Sequence, residues 1–340
     1  EQLIQTLVNN ETSVLRIYYT DKGWFVQWIE VDDGLIFNTY DIKEMFSALA
    51  TVNCKLIVIN SLYGLPDIDD AVPRIIFLSK LLKANLDFKI HDFYAVCPSQ
   101  HLLDFNNKFC GVPANPTHCN ACLKKNISAY WASTRPVHIA EWRNTYAKLF
   151  DVVNTISFFD PSSVEIIHKA FQIDKSKVKI NYHSEATPLA GKLLRLSTDL
   201  HVGVLGTLTT VKGACVVNSL ATYIQKEELD ISVSVIGQTL TPVVPGVKVF
   251  GPYEKNMLPD ILSKEGINVV LMASIVPETF SYTISEAMDL GLPIVAFDLG
   301  AQGRRVREYK LGEVVPLNSS PELILSMMQS ILKRAIRRRK

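Results

Sequence analysis

The sequence predicts an α/β protein built from two doubly wound units in tandem. Three observations carry this: short buried-type strands alternate with helical segments along most of the chain, 340 residues suffice for two domains of ordinary size, and a polar, poorly periodic stretch at 184–197 divides them. The boundaries read as 1–188 and 189–320, followed by a terminal helix over 321–340.

In the first half the predicted strands are Val14–Tyr19, Trp24–Val31, Lys55–Asn60, Asp87–Val96, Val153–Phe159 and Val178–Tyr182. The first two pair as a hairpin around Asp21-Lys22-Gly23. Ile68–Ala84 and Ala140–Phe150 carry helical spacing; in the second, Trp142, Tyr146 and Phe150 share one face. Asp160-Pro161-Ser162-Ser163 reads as a cap opening a helix over Val164–Phe171. The second half is more regular. Strands at His201–Gly206, Ile231–Gly237, Val247–Gly251, Asn268–Met272, Pro293–Asp298 and Glu313–Leu317 alternate with helices at Ala214–Gln225, Asn256–Ser263, Tyr282–Leu290 and Pro321–Ala335. Such alternation implies a parallel sheet.

Composition narrows the function classes. A net charge of +1 supplies no basic field for nucleic acid, and no run of about eighteen uncharged apolar residues predicts a membrane span. The expected setting is cytoplasmic. The chain opens on Glu1-Gln2-Leu3, without Met or a signal peptide, which suggests one module of a longer polypeptide. Six of the last eight residues are basic. They read as a solvated helix end, with peripheral contact to an anionic membrane face as the second reading.

The chemistry concentrates at 277–296. Glu278 follows a strand end, and Glu286 lies in the helix that begins near Ser281. A helix N-terminus at the carboxyl end of a parallel strand favours an anion such as a diphosphate. Glu286, two turns into the helix, is placed to reach ribose hydroxyls, and Ser281 and Thr283 add hydroxyls in the first turn. By spacing alone, two glutamates seven residues apart are an ordinary helix-end pair.

The surroundings make the pair specific. Pro277-Glu278-Thr279-Phe280-Ser281, Ser285-Glu286-Ala287-Met288 and Gly291-Leu292-Pro293-Ile294-Val295 stand in order. Before them come Val202-Gly203-Val204-Leu205-Gly206 with Lys212-Gly213, Val233–Gly237, and Val249-Phe250-Gly251-Pro252-Tyr253 with Leu258-Pro259. Together these resemble glycosyltransferase family 4, retaining enzymes of the GT-B fold, over roughly residues 200–318. The resemblance implies two Rossmann-like domains facing a cleft, and transfer from a nucleotide diphosphate sugar to a glycan or lipid-linked acceptor in polysaccharide or glycoconjugate synthesis. No metal is implied for catalysis. Glu278 would contact the donor sugar and Lys212 the diphosphate, with Glu286 on the ribose and Tyr253 beside the base. Gly206, Thr207, Phe280, Ser281, Tyr282 and Thr283 would complete the donor site. The family usually has an Arg where this chain has Thr207; Arg304, Arg305 and Lys255 are candidate substitutes. Three alternatives follow: a sugar-nucleotide-binding module of weak or no activity, a GT-B sugar-nucleotide epimerase, and a plain interaction protein that binds no nucleotide.

His91, ending a predicted strand in His91-Asp92-Phe93-Tyr94, also resembles the family's cleft histidine, which would place it toward the donor sugar. Cys97, Cys110, Cys119 and Cys122 have the spacing C-x12-C-x8-C-x2-C in a loop-like segment, with His101 and His118 as spare ligands. Structural zinc, disulfides and free thiols are the three readings of this set. Cys54 and Cys215 read as buried small hydrophobes.

Overall fold

The computed structural model describes residues 14–20, 22–29, 34–65, 67–126, 137–182 and 193–339. The chain opens with β1 (Val14–Thr20), β2 (Gly23–Ile29) and β3 (Gly34–Thr39), an antiparallel sheet in the order β1-β2-β3. The expected hairpin forms, with Thr20 opposite Gly23; Asp21 of its loop and the expected strand end at 30–31 lie outside the described residues. Helix α1 (Ile42–Leu49), absent from the sequence reading, is capped by Asp41, whose side chain accepts from Lys43 N at 2.7 Å.

A parallel sheet follows. Its elements are β4 (Leu56–Ile59), α2 (Ile68–Leu82), β5 (Asn85–Lys89), α3 (Pro116–Leu123), α4 (Ile139–Val152), β6 (Thr155–Phe158), α5 (Pro161–His168) and β7 (Val178–Ile180), with strand order β4-β5-β6-β7. The strand expected over Asp87–Val96 stops at Lys89. Beyond it Asp92 accepts from Tyr94 N, and the amides of Val96 and Cys97 both turn back to Phe93 O. Phe93 to Val96 are buried in the core beside Trp142 and Tyr146 rather than in the sheet. A continuous apolar run does not distinguish these two ways of being buried.

The second half comprises β8 (His201–Leu205), α6 (Ala214–Lys226), β9 (Ser232–Ile236), β10 (Val247–Val249), α7 (Leu258–Lys264), β11 (Val269–Met272), α8 (Tyr282–Asp289), β12 (Ile294–Phe297), α9 (Gly300–Glu308), β13 (Gly312–Val315) and α10 (Pro321–Arg339). Its six strands are parallel in the order β10-β9-β8-β11-β12-β13. Side-chain alternation sends Val269 and Leu271 into a core shared with α6 and α10, and Val270 and Met272 into one shared with α7 and α8. Strands covered on both faces favour uninterrupted apolar runs, as in β11 and β12, whereas the edge strands β10 and β13 carry Lys248 and Glu313. Helix α9 escaped the sequence reading because Ala301 and Val306 are its only aliphatic residues, and its buried positions include Gln302 and Gly303.

The buried face of α10 joins the second-half core through Ile324, Leu325, Met328, Ile331 and Leu332. Its basic end is anchored rather than frayed. Arg334 binds Glu313 at 2.6 Å and Gly312 O, Arg338 binds Lys310 O, and Arg339 binds the carbonyls of Leu194 and Gly291. Among the described residues no helix is long and apolar enough to cross a membrane. The expected boundary at 188/189 lies outside the described residues.

Candidate functional site

The strand order of the second sheet reverses between β8 and β11, which pair Val202 with Val269. In open parallel sheets the crevice beyond such a switch point receives ligands. Here it is lined by Gly206, Thr207, Lys212, Ser274, Glu278 and Thr283, among others.

Two segments converge on it. After β8 the chain turns through Gly206 and returns to α6 through Lys212 and Gly213. Gly213 adopts φ +86°, and a Cβ there would lie 1.9 Å from Ala273 O, so only glycine lets this turn rest on the end of β11. Lys212 is thereby carried to the crevice. After β11, Ile275 N bonds Val211 O at 3.1 Å, and the chain reaches Glu278. Gln302, fully buried in α9, clamps this segment: its Oε1 accepts from Glu278 N at 2.9 Å and its Nε2 donates to Val276 O at 2.7 Å. Lys212 Nζ then meets Glu278 Oε1 at 2.5 Å, with the carboxylate buried and the lysine half exposed.

Helix α8 begins beside this pair. Its N-cap Ser281 makes no side-chain capping bond; its hydroxyl lies 3.3 Å from that of Thr283. The amides of the first turn thus point outward without a side-chain cap. Glu286 Oε2 is buried without a hydrogen-bond partner. Burial, chiefly, and Asp289 raise its carboxyl above the usual range, while Lys255 opposes them. Burial, and then the nearby Glu286, raise the Tyr253 phenol. The structure thus gathers Gly206, Thr207, Lys212, Glu278, Ser281 and Thr283 at the crevice, with Glu286 farther along α8 and Tyr253 in the stretch between β10 and α7.

The candidate substitute cations are largely committed elsewhere. Arg305 lies 4.4 Å over the Phe280 ring and donates to Ser281 O at 2.6 Å and Ser285 Oγ at 2.8 Å. It braces the turn before α8, and Phe280 packs against Tyr282 at 5.1 Å. Arg304 reaches the other half, donating to both oxygens of the fully buried Asp160. Lys255 lies toward Glu286.

From the first half, His91 stacks on Phe159 at 4.4 Å, and its carbonyl accepts from Thr279 Oγ1 at 2.9 Å. The residue next to Glu278 is therefore tied to His91 across the cleft. Neither Gln302 nor Thr279 was found by sequence reasoning. Thr279 stands inside the motif without a role read for it, and Gln302 is a polar residue in the helix that follows the next strand.

The zinc reading of the cysteines finds no support among the described residues. All four are free thiols, and among the described residues no group of three or more His, Cys, Asp or Glu is placed to hold a metal ion. Burial pushes the Cys97 thiol up to about 11, against the small opposing effect of Ser99, and raises Cys110 and Cys119 as well. The segment is held by other bonds instead. Asn126 Nδ2 donates to Leu103 O at 2.8 Å, Ile139 N to Asn120 Oδ1 at 2.8 Å, and Arg143 to Val96 O at 3.0 Å. Cys54 and Cys215 also depart from expectation: Cys54 is half-buried and Cys215 exposed.

Solved structures of similar fold include glycosyltransferases of the GT-B type. Anabaena HepE in complex with UDP-glucose is 15% identical, with 86% of this chain and 75% of that one aligned at a TM-score of 0.51. A variant of S. aureus TarM, in complex with fondaparinux, alpha-GlcNAc-glycerol and UDP, is 13% identical over 96% of this chain and 61% of that one, at 0.56. The pneumococcal O-GlcNAc transferase GtfA with UDP and GlcNAc is 14% identical over 94% and 62%, at 0.50. No curated protein matches the chain by sequence. The shared architecture is the GT-B fold, and residues 199–334, the second sheet with its helices, match the family described as Glycosyl transferases group 1.

Proposed function

We propose that this protein is a retaining glycosyltransferase acting on a nucleoside diphosphate sugar, with residues 1–188 as the acceptor side and 189–320 as the donor side. The observation that carries the reading is the meeting of Lys212 and Glu278 at the switch-point crevice, beside a helix N-terminus without a side-chain cap. Lys212 and the amides of Phe280 to Thr283 offset negative charge on the leaving diphosphate as the anomeric C–O bond breaks. Glu278 contacts donor-sugar hydroxyls, and Glu286 accepts from the ribose, which supplies the partner its buried oxygen lacks. The acceptor hydroxyl attacks on the face the phosphate leaves. Its proton passes to the departing phosphate oxygen, so the configuration is retained. His91 and Thr279 bring the two halves together around the sugar and exclude water. The acceptor is a glycan or lipid-linked hydroxyl in polysaccharide or glycoconjugate synthesis.

Calorimetric titration with UDP-, GDP- and dTDP-sugars, followed by product analysis by NMR, tests this. Binding of one donor and a product of unchanged anomeric configuration are expected. An inverted product, or an epimerised donor, would overturn it. A second reading, binding without turnover, is favoured by Thr207, an uncharged side chain on the crevice wall; donor binding with no product in the presence of acceptor hydroxyls would select it.

A further inference from the structure

The two halves meet at the carboxyl edge of the first sheet. Asp160, just past β6, holds Arg304, and His91, just past β5, accepts from Thr279 Oγ1 at 2.9 Å. The next strand of this parallel sheet is β4, so the loop that follows it emerges on the same edge, beside His91. The space outside the carboxyl ends of parallel strands is where ligands bind.

That loop reads Asn60-Ser61-Leu62-Tyr63-Gly64. Ser61 Oγ donates to Asp92 Oδ2 at 2.7 Å and accepts from Tyr63 N at 3.1 Å. The first of these bonds ties the loop after β4 to the loop after β5, 31 residues on. A path of direct contacts therefore runs from Tyr63 through Ser61 to Asp92 and its neighbour His91. From His91 it crosses to Thr279, whose neighbour Glu278 lines the donor crevice.

Two groups on this lip suit a ligand. Tyr63 is 47% exposed, although its ring meets the buried Tyr94 edge to face at 5.3 Å. The core thus fixes the ring on one side and leaves apolar surface open on the other. Asp92 is half-buried, and each of its oxygens takes one bond from a neutral donor, Ser61 Oγ on Oδ2 and Tyr94 N on Oδ1 at 2.9 Å. A carboxylate has about four acceptor positions, so lone pairs remain on both oxygens, and neither donor offsets the charge.

A pyranose matches this pair of groups. Its faces carry C–H groups that lie against an aromatic ring, and its rim carries hydroxyls that donate to a carboxylate. A phosphorylated acceptor does not match, because it would bring another anion beside Asp92 and the donor diphosphate.

We propose that Tyr63 and Asp92 form the acceptor subsite, with one uncharged pyranose unit stacked on the Tyr63 ring and one of its hydroxyls bonded to Asp92. This rests on the donor-site reading above and narrows the acceptor to a neutral sugar unit at the cleft lip.

The test is saturation-transfer NMR on the full chain in the presence of UDP. The probes are the methyl glycosides of glucose, galactose, mannose and N-acetylglucosamine, with glycerol 3-phosphate as the charged comparison. Calorimetric titration with UDP is run on the same samples. At least one glycoside is expected to show transfer, strongest at the C–H protons of one ring face. Tyr63→Leu keeps apolar bulk against Tyr94 but has no aromatic face; it should weaken glycoside binding about tenfold. Tyr63→Phe should restore it. Asp92→Asn should weaken it about tenfold as well, the size of one hydrogen bond to a charged group. UDP affinity should be the same in wild type, Tyr63→Leu and Tyr63→Phe. Equal glycoside binding by wild type and Tyr63→Leu would overturn the proposal, and so would a preference for glycerol 3-phosphate over every glycoside. A matching fall in UDP affinity in Tyr63→Leu would overturn it too, as the mark of a disturbed loop. UDP binding with no transfer to any glycoside overturns this inference alone. If the wild type binds no UDP, the donor-site reading falls, and this inference with it.

Discussion

Arg304 in the second half and Asp160 in the first share two parallel hydrogen bonds, Nε to Oδ1 at 3.0 Å and Nη2 to Oδ2 at 2.6 Å. Asp160 is fully buried and also caps α5, accepting from Ser162 N at 2.9 Å. One carboxylate thus starts a helix and joins the two halves. Glu308 holds the far side of the guanidinium at 2.7 Å, so three charges form a chain across the cleft.

Arg304→Ala strands the Asp160 carboxylate without a counter-charge. Removing one partner of a buried pair costs about 3 kcal/mol, and Arg304, itself partly exposed, puts this case at the lower end. The expected outcome is a clear drop in melting temperature and a wider solution ensemble by small-angle scattering. An unchanged scattering profile and melting point would show that the halves are held elsewhere.

Lys212 and Glu278 should fail in different ways when changed singly. Lys212→Ala removes the charge that stabilises the leaving diphosphate, an effect worth about 10²-fold or more in kcat. Glu278→Gln keeps the shape but weakens the grip on Lys212, so donor KM should rise along with the fall in kcat. Steady-state kinetics separates them. Transfer at the wild-type rate by Glu278→Ala would remove Glu278 from the site.

The raised carboxyl of Glu286 predicts a pH signature. A buried acid of raised proton affinity binds more proton folded than unfolded, so stability is fully present below the ordinary glutamate value and is lost as pH rises through the raised one. Glu286→Gln removes that slope. Ribose hydroxyls favour the ionised form, so donor binding should release a proton in this window. Calorimetry in two buffers of different ionisation heat measures the release directly; buffer-independent heats would deny Glu286 its ribose.

Cysteine reactivity follows from burial. At pH 8 a thiol reagent should modify exposed Cys215 first and leave Cys97, whose thiol is pushed up to about 11, largely untouched. Mass mapping of a partly labelled sample reads this order. Early labelling of Cys97 would mean that the Cys97–Cys110 segment opens in solution.

What was legible in the sequence divides along physical lines. The central strands β11 and β12 are apolar throughout because both faces are covered, and all six strands of the second sheet were placed within about two residues. Helix α9 was invisible because it buries Gln302 and Gly303, where pattern reading expects apolar residues. Polar groups buried to hold a backbone leave no periodic trace. The same holds for Thr279, whose meaning depends on a partner 188 residues away. The cysteine spacing left zinc, disulfides and free thiols open, because spacing sets which thiols can meet and not where the folded loop places them; among the described residues no group of three or more ligands comes together.

Gly300 puts the Gln302 clamp to the test. It opens α9 at φ +57°, and a Cβ there would lie 2.7 Å from both Glu278 N and Pro277 Cα and 2.8 Å from Gln302 Oε1. Alanine would strain the left-handed backbone by about 1–2 kcal/mol and press on the one contact that fixes the Glu278 amide. The neighbouring amide, Ala301 N, also bonds Glu278 O at 2.9 Å, so the push arrives on both sides of the residue. Gln302→Leu attacks the clamp without the backbone strain. It leaves Glu278 N unpaired, at about 1–3 kcal/mol, and Val276 O with only the longer bond from Ser274 Oγ at 3.3 Å. If the clamp positions Glu278, both variants should lose kcat by a larger factor than they raise donor KM, although only one of them strains the chain. A variant that melts lower yet turns over normally would mean that Glu278 keeps its place through Lys212 alone.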